Sequence, residues 1–439
     1  MKIAIIGGGI AGNVAADLLA KQKKEVYLFE KNELGGRILT QNIEGISFDR
    51  GAEYFLETDT SLIDLIKELN LSYEEYISSR AIFDHHRSRS VILPKKGDQF
   101  GKSIIRKIQL INYLGKKNIN SLKLLNTKIQ KYQEYIIKFY ELINLNTTIE
   151  PYRDVKDYFI NIYPKTMKDY LINEEGINHQ LIKDFVDPIF KPIYMMDSNK
   201  LNALHGILGF AAKGKKLLHI KGGNILLIKT LEERILSHNG KININSNVSE
   251  IIRHDKGYTV VSNNQRSDFT HIFLALPLAA ISKIKFTNFK SEEFDKIQNI
   301  QDIPYNNNVF HHLVKGTLIK SISKLYAKGV NTVFFKGDHN IWELNCIKFL
   351  NNNGGIFDVT SQNNSESTDF SKLFTEFTVL DSIHWKNAYP LYTPTTMDKI
   401  SINNKINSSC YVGTDSFLTS MGHSVLIAQR VVKDLLYSN

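Results

Sequence analysis

Cysteine is almost missing: Cys346 and Cys410 are the only two in 439 residues. Two cysteines exclude a disulfide scaffold and a cysteine metal cluster, and they fit a reducing compartment. Apolar runs are short, and none reaches the roughly 20 residues of a membrane-spanning helix. An apolar strand starts at Lys2, so no export signal is expected and the chain reads as cytoplasmic. Acids are outnumbered, 45 Asp and Glu against 55 Lys and Arg, for a net charge of +10. That excess would suit an anionic membrane surface, an acidic ligand or nucleic acid. No zinc-finger spacing, RNP-type motif or basic block accompanies it, so nucleic acid is not expected. Peripheral membrane contact is the second reading. Also missing are a nucleophile elbow, a Ser-His-Asp arrangement and a metal-ligand set. His85-His86 has no partner at helical spacing and reads as a solvated turn.

The chain is organised around its first thirty residues. Lys2–Ile6 is a buried-strand candidate, and Gly7-Gly8-Gly9-Ile10-Ala11-Gly12 fits G-x-G-x-x-G. A helix is expected from Val14 to Lys21, and a second strand from Glu25 to Phe29 ends at Glu30. Gly7 permits the turn, Gly9 lets backbone approach a pyrophosphate, and Gly12 lets helix and strand close up. The helix N-terminus favours that anion. Glu30, 23 residues after Gly7, is set to accept ribose hydroxyls and to repel a 2′-phosphate. Alone the glycine motif is weak; strand, turn, helix, strand and acid in order make a dinucleotide site.

A second Gly-Gly-Arg, Gly35-Gly36-Arg37, follows. A plain nicotinamide site does not need it, whereas a large dinucleotide lying extended does, with Arg37 neutralising phosphate. Gly51 and Ala52, in Asp49-Arg50-Gly51-Ala52-Glu53, are small enough for backbone to approach a flat flavin ring.

With 42% hydrophobic and 23% charged residues, the chain is folded and long enough for two domains. Helical spacing dominates from Ser103 to Asn144, where Leu122, Leu125, Ile129, Tyr132, Ile136, Phe139 and Ile143 share a face. That stripe reads as core, with a lid or membrane-surface helix as the alternative. An α/β pattern returns at Leu218, runs through Ala275-Leu276-Pro277, and closes with a strand ending Gly413-Thr414-Asp415 before a last helix. The fold class is therefore α/β. A discontinuous Rossmann-type domain with a parallel sheet is expected over 1–75, 215–277 and 405–439. A mixed α+β, helix-rich substrate domain is expected over 76–214 and 278–404.

These blocks, in this order, resemble the FAD-dependent amine oxidase and protoporphyrinogen oxidase superfamily. Within it the chain is similar to the prenylcysteine oxidase (prenylcysteine lyase) family. That likeness rests on Glu30-Lys31 with Gly35-Gly36-Arg37, Ser79-Arg80-Ala81-Ile82-Phe83, Lys221-Gly222-Gly223-Asn224, Ala275-Leu276-Pro277-Leu278, Leu313-Val314-Lys315-Gly316 and Tyr389-Pro390-Leu391-Tyr392. The resemblance implies FAD contacts at Gly7, Gly9, Gly12, Glu30, Lys31, Gly36, Arg37, Gly51, Ala52 and Asp415, and a backbone contact to adenine at Val248. It implies an oxidase that takes hydride from the carbon next to sulfur in a prenyl thioether, yielding aldehyde, free thiol and, with molecular oxygen, hydrogen peroxide. Such chemistry asks for orientation and a dry pocket. Glu53, His311, His312 and His423 are the polar candidates for placing substrate or water, although a strand histidine is more often structural. An amine, a porphyrinogen or a polyene is the alternative substrate class, and a non-catalytic FAD protein the third reading.

Overall fold

The computed structural model describes residues 1–439 except 44, 77, 95–99, 146–160, 163, 302, 307, 338–339, 352, 398–404, 414–419 and 438–439. The side chains of 100 and 135–145 also lie outside the described set. Two units emerge, one built from 1–76, 215–305 and 398–439, the other from 77–214 and 306–397.

The first unit is centred on a six-stranded sheet. Strand β1 (Lys2–Ile6) lies between β2 (Glu25–Phe29) and the strand His271–Leu274, parallel to both. Lys241–Asn243 continues the sheet beyond β2, and Cys410–Val412 beyond His271–Leu274, both parallel; Lys405–Asn407 closes it antiparallel. Its continuous apolar strands follow from burial on both faces. Ile3, Ile5, Val26 and Leu28 point to one face and pack under helix α1 (Ile10–Lys21) and the helices Ile225–Ser237 and Met421–Tyr437. Ala4, Ile6, Phe29, Ile272 and Leu274 point to the other. They pack there with Val248, Ile251, Tyr258 and Val260 of a four-stranded sheet.

Three helices are tied by charge as well. Arg234 makes a two-pronged contact with the fully buried Asp17 of α1 (2.9 and 2.8 Å) and also reaches Glu68 at 2.9 Å. Burial pushes the Asp17 carboxyl up from its ordinary value, and the Arg234 guanidinium partly offsets it. Removing Arg234 would leave that carboxylate uncompensated.

The expected boundary at 277 is corrected by packing. Leu278, Ile281, Ile284, Ile297 and Ile303 join the cluster around Ile6, and the Leu278 N–H donates to Tyr305 Oη at 2.7 Å. The segment 278–305 therefore belongs to the first unit.

The second unit carries a seven-stranded sheet in the order Phe374–Trp385, Val309–Leu318, Gly354–Ser361, Ile341–Phe349, Thr332–Lys336, Arg80–Asp84, Arg89–Ile92. All pairs are antiparallel except Thr332–Lys336 with Arg80–Asp84. Every residue of Gly354–Ser361 is buried, as expected of a central strand. The turn after Arg80–Asp84 holds His85-His86, and His85 stacks on Phe335 at 5.0 Å. A buried triad, Lys336 Nζ with Asp84 (2.8 Å) and Asp184 (2.5 Å), ties the helical segment Ile182–Val186 to the ends of two neighbouring strands.

Helices Phe100–Leu114 and Lys116–Leu145 follow the strand Arg89–Ile92 along the chain. Leu125, Ile129 and Tyr132 are buried and Leu122 half-buried, so the described part of this stripe packs inward as core; Ile136, Phe139 and Ile143 lie outside the described side chains. Among the described residues, no helix is long and apolar enough to cross a membrane.

Candidate functional site: a dinucleotide cradle

The first unit gathers its glycines at the C-terminal end of β1. Gly7 turns with φ +112°, and a Cβ there would strike Ala275 O at 2.3 Å. At Gly12 a Cβ would sit 1.9 Å from Gly7 O, so backbone occupies the space of any larger residue. Gly9 differs: nothing lies within 4 Å of its Cβ position, which leaves open space over the helix start. The helix begins four residues earlier than periodicity suggested, at Ile10, which puts Gly12 in its first turn. No side chain caps it and no acid stands in that turn. The N–H groups of the first turn and the positive end of the dipole therefore face that space.

The second glycine pair docks onto the first. Gly35 N–H donates to Gly8 O at 2.8 Å, and Gly36, at φ +60°, has its Cβ direction aimed at Gly9 Cα, 3.3 Å away. The result is a floor of bare backbone, which suits a pyrophosphate. Asn13, buried in α1, fastens the turn from beneath by donating to Gly8 O (2.7 Å) and Gly9 O (3.0 Å).

Glu30 stands at the end of β2, partly buried. One carboxylate oxygen accepts the Gly8 N–H at 2.7 Å and the other the Asn32 N–H at 2.9 Å. Each oxygen retains lone-pair capacity for a ribose hydroxyl. Lys31 is exposed beside it. The segment leading to Val248 runs alongside, with Glu30 N–H donating to Asn243 O (2.9 Å) and Ser246 N–H to Glu30 O (2.8 Å). Val248 itself is buried in the core.

Arg37 and the stretch 49–53 are joined by main chain. Ala52 N–H donates to Arg37 O and Arg50 N–H to Leu39 O, each at 2.9 Å. Gly51, Ala52, Glu53 and Arg37 are all half-buried, while Arg50 is fully buried and donates to Gln41 Oε1 at 2.7 Å. Asp415 lies outside the described residues.

Sequence reasoning missed the residue that fixes this stretch. Asn224 has no solvent exposure; its Nδ2 donates to Ala52 O (2.8 Å) and Glu53 O (3.1 Å), and its Oδ1 accepts the Ile220 N–H (3.1 Å). Asn224 N–H donates in turn to Asp49 (3.1 Å), whose other partner is the Thr40 hydroxyl. Gly223, at φ +104°, brings the chain against Thr40, which a Cβ would strike at 2.2 Å. The Gly222-Gly223-Asn224 run before a helix was the available signal, but its partners lie over 170 residues away. Burial holds the Asp49 carboxyl up at about 6, against the Thr40 and Asn224 hydrogen bonds. Asp59 is likewise pushed up to about 6 by burial. It lies against the first turn of the last helix, where a Cβ on Gly422 would meet its Cγ at 2.4 Å.

The polar candidates divide between the units. His423, in that first turn, is buried and its N–H donates to Ser420 Oγ at 3.0 Å. In the second unit His311 Nδ1 meets the buried Asp358 at 2.7 Å, an arrangement that fixes tautomer and ring orientation. His312 is fully buried, with Nδ1 on Ser382 Oγ (2.9 Å), Nε2 on Ser361 Oγ (2.8 Å) and Asn363 O (2.9 Å), and Phe370 edge-on. Those partners give His312 a structural role. Burial raises the Cys346 thiol to about 12 and pushes Cys410 up as well, so neither supplies a thiolate at neutral pH.

Comparison with known proteins now adds to this geometry. A family model described as prenylcysteine lyase matches residues 123–433, and one for an NAD(P)-binding Rossmann-like domain matches 5–69. Prenylcysteine oxidase 1 of Homo sapiens is 24% identical over 429 residues, covering 90% of this chain and 80% of the relative. The Pongo abelii protein of that name is 25% identical over 406 residues, covering 86% and 75%. A 4,4'-diapolycopen-4-al dehydrogenase of Metabacillus indicus is 26% identical over 268 residues, 57% of this chain and 50% of the relative. Putrescine oxidase bound to putrescine shares the fold with a TM-score of 0.67 at 15% identity, covering 99% of this chain and 98% of that one. An oxidoreductase from Methanosarcina mazei gives 0.66 at 15%, covering 99% and 100%.

Proposed function

Because the chain belongs to the prenylcysteine lyase family and is an FAD-dependent oxidoreductase, we propose that it oxidises the thioether of an S-prenyl or similar S-alkyl cysteine. The observation that carries this reading is the extent of the family match, 123–433, which runs far beyond the dinucleotide-binding segment. In the net reaction thioether, water and molecular oxygen give aldehyde, free thiol and hydrogen peroxide. Bound FAD supplies the hydride acceptor for the carbon next to sulfur. The protein's part is placement. The bare backbone at Gly9 and Gly36 and the uncapped start of α1 would hold the pyrophosphate, Glu30 the ribose, and Arg37 a phosphate charge. The stretch 49–53, fastened by Asn224, would bring Gly51 and Ala52 to the ring.

Oxygen as acceptor, a cytoplasmic location and peripheral contact with the membranes that carry prenylated material complete the proposal. A polyene is the second substrate reading, supported by the likeness to the diapolycopenal dehydrogenase over 57% of the chain. Anaerobic mixing of the yellow protein with S-farnesylcysteine decides between them. Bleaching of the flavin, recovery in air, and release of cysteine and aldehyde are expected. Bleaching by a polyene and by no thioether would overturn the thioether reading in favour of the second.

A further inference from the structure

Helix Phe100–Leu114 of the second unit is apolar on two opposite sides. Arg106, Leu110, Tyr113 and Leu114 face inward and are buried, whereas Ile104, Ile105, Ile108 and Ile111 remain 40%, 57%, 51% and 42% exposed. At about 100° per residue, Ile104, Ile108 and Ile111 fall within roughly 60° of arc, with Ile105 beside them. Single exposed aliphatics are ordinary on a protein surface. Four on one face of one helix form a ridge.

Charge says what the ridge is for. By the same geometry Lys107 flanks it on one side and Lys102 on the other. From Phe100 to Gln133 there is no Asp or Glu, against eight Lys or Arg. The helix ends at Gly115 (φ +79°), and the next opens with Lys116-Lys117. A hollow of about 300 Å³ along the same helix adds Arg89 and Lys328 to Gln109, Asn112 and Tyr113, with no carboxylate in its lining.

We propose that this ridge docks the protein on an anionic lipid surface, the isoleucines entering the headgroup boundary and the flanking lysines meeting lipid phosphate and carboxylate. An apolar ridge bordered by cations is the pattern of an in-plane interfacial helix. A second copy of the chain would set the lysines of two such helices against each other, which charge opposes. The proposal rests on the peripheral membrane contact read above and names its surface, its residues and its lipid class.

The test is co-sedimentation of the FAD-loaded protein with vesicles of phosphatidylcholine alone or with 30% phosphatidylserine. Binding to the serine-containing vesicles and release by high salt are expected. Ile105→Asp with Ile108→Asp should weaken it on the order of tenfold or more. Lys102→Glu with Lys107→Glu should weaken it by at least roughly fivefold per lysine. Both pairs are solvent-facing, and turnover of a soluble short-chain thioether should not change. Protein that stays in the supernatant with every vesicle overturns the proposal, as does binding that both double variants retain. A concentration-dependent dimer that the Ile105→Asp/Ile108→Asp variant abolishes, in a protein that ignores vesicles, would assign the ridge to a second copy instead. Loss of turnover in the wild type with vesicle binding intact would strike the substrate reading alone.

Discussion

Asn224→Ala tests the account of the cradle most directly. The substitution deletes two donated bonds, to Ala52 O and Glu53 O, and the bond accepted from Ile220 N–H. All three partners are backbone groups around a side chain with no solvent exposure. A buried hydrogen bond contributes about 1 kcal/mol net, and orphaning its partner adds to the loss, so the cost is about 3 kcal/mol. The helix Ile225–Ser237 should survive, because the Asn224 side chain does not cap it. The loss falls instead on the stretch 49–53, so flavin should leave before the unit unfolds. Urea titration followed by flavin fluorescence, with far-UV circular dichroism in parallel, reads both events. With a slope of about 2 kcal/mol per M, the flavin-release midpoint should fall by about 1.5 M. A midpoint within about 0.3 M of wild type, with flavin retained, would refute the claim that Asn224 holds this stretch.

Gly12→Ala places a methyl 1.9 Å from Gly7 O, so the purified protein should be colourless with its secondary structure largely intact, as absorbance at the flavin band and circular dichroism would show. Asp49 and Asp59 are both held at about 6 in the folded unit, above their ordinary range. Raised carboxyls of this kind stabilise below the unfolded value and lose that contribution as pH rises through about 6. Stability of the first unit should therefore fall between about pH 4 and pH 6.5 on their account, by up to about 3 kcal/mol each. Asp59→Asn should flatten that slope in thermal melts across the window. Lys336→Met removes the ammonium that bridges Asp84 and Asp184 in the second unit, and should cost about 3–5 kcal/mol in chemical unfolding. Adding Asp84→Asn and Asp184→Asn should restore much of it.

Local chemistry made the cradle readable and distance hid its supports. Gly7, Gly9, Gly12 and Glu30 lie within one strand–helix–strand unit, where spacing alone fixes geometry, and Gly35-Gly36 follows within a few residues. Asp49, Thr40 and Asn224 meet across some 175 residues, and no periodicity encodes that meeting. The helix began at Ile10 because packing of Ile10, Ala11 and Val14 against the sheet outweighs the low propensity of Gly12. Strand Phe374–Trp385 went unread because it is largely exposed and carries no apolar alternation. The ridge 104–111 was legible as helix, but spacing cannot say which of two apolar faces points inward. The division near 277 failed for a related reason: Ala275-Leu276-Pro277 looks like an exit, yet the apolar residues beyond it return to the same core.

Helix α1 lies against the helix Met421–Tyr437, which contributes Val425, Ala428 and Val431 to the same cluster as Ala11, Val14 and Ala15. Roughly 410 residues of chain separate these two surfaces, so the ribosome makes one well before the other. At about 5–20 residues per second, roughly half a minute passes between them. Throughout that interval the nascent cradle has its turn and its first helix but neither the strand Cys410–Val412 nor the helix that covers α1. The second unit, by contrast, has its last strand in place before residue 400. Cofactor capture is therefore a late event in the life of each molecule, and a chain stopped short of residue 421 would expose the small, apolar face of α1 as a chaperone target.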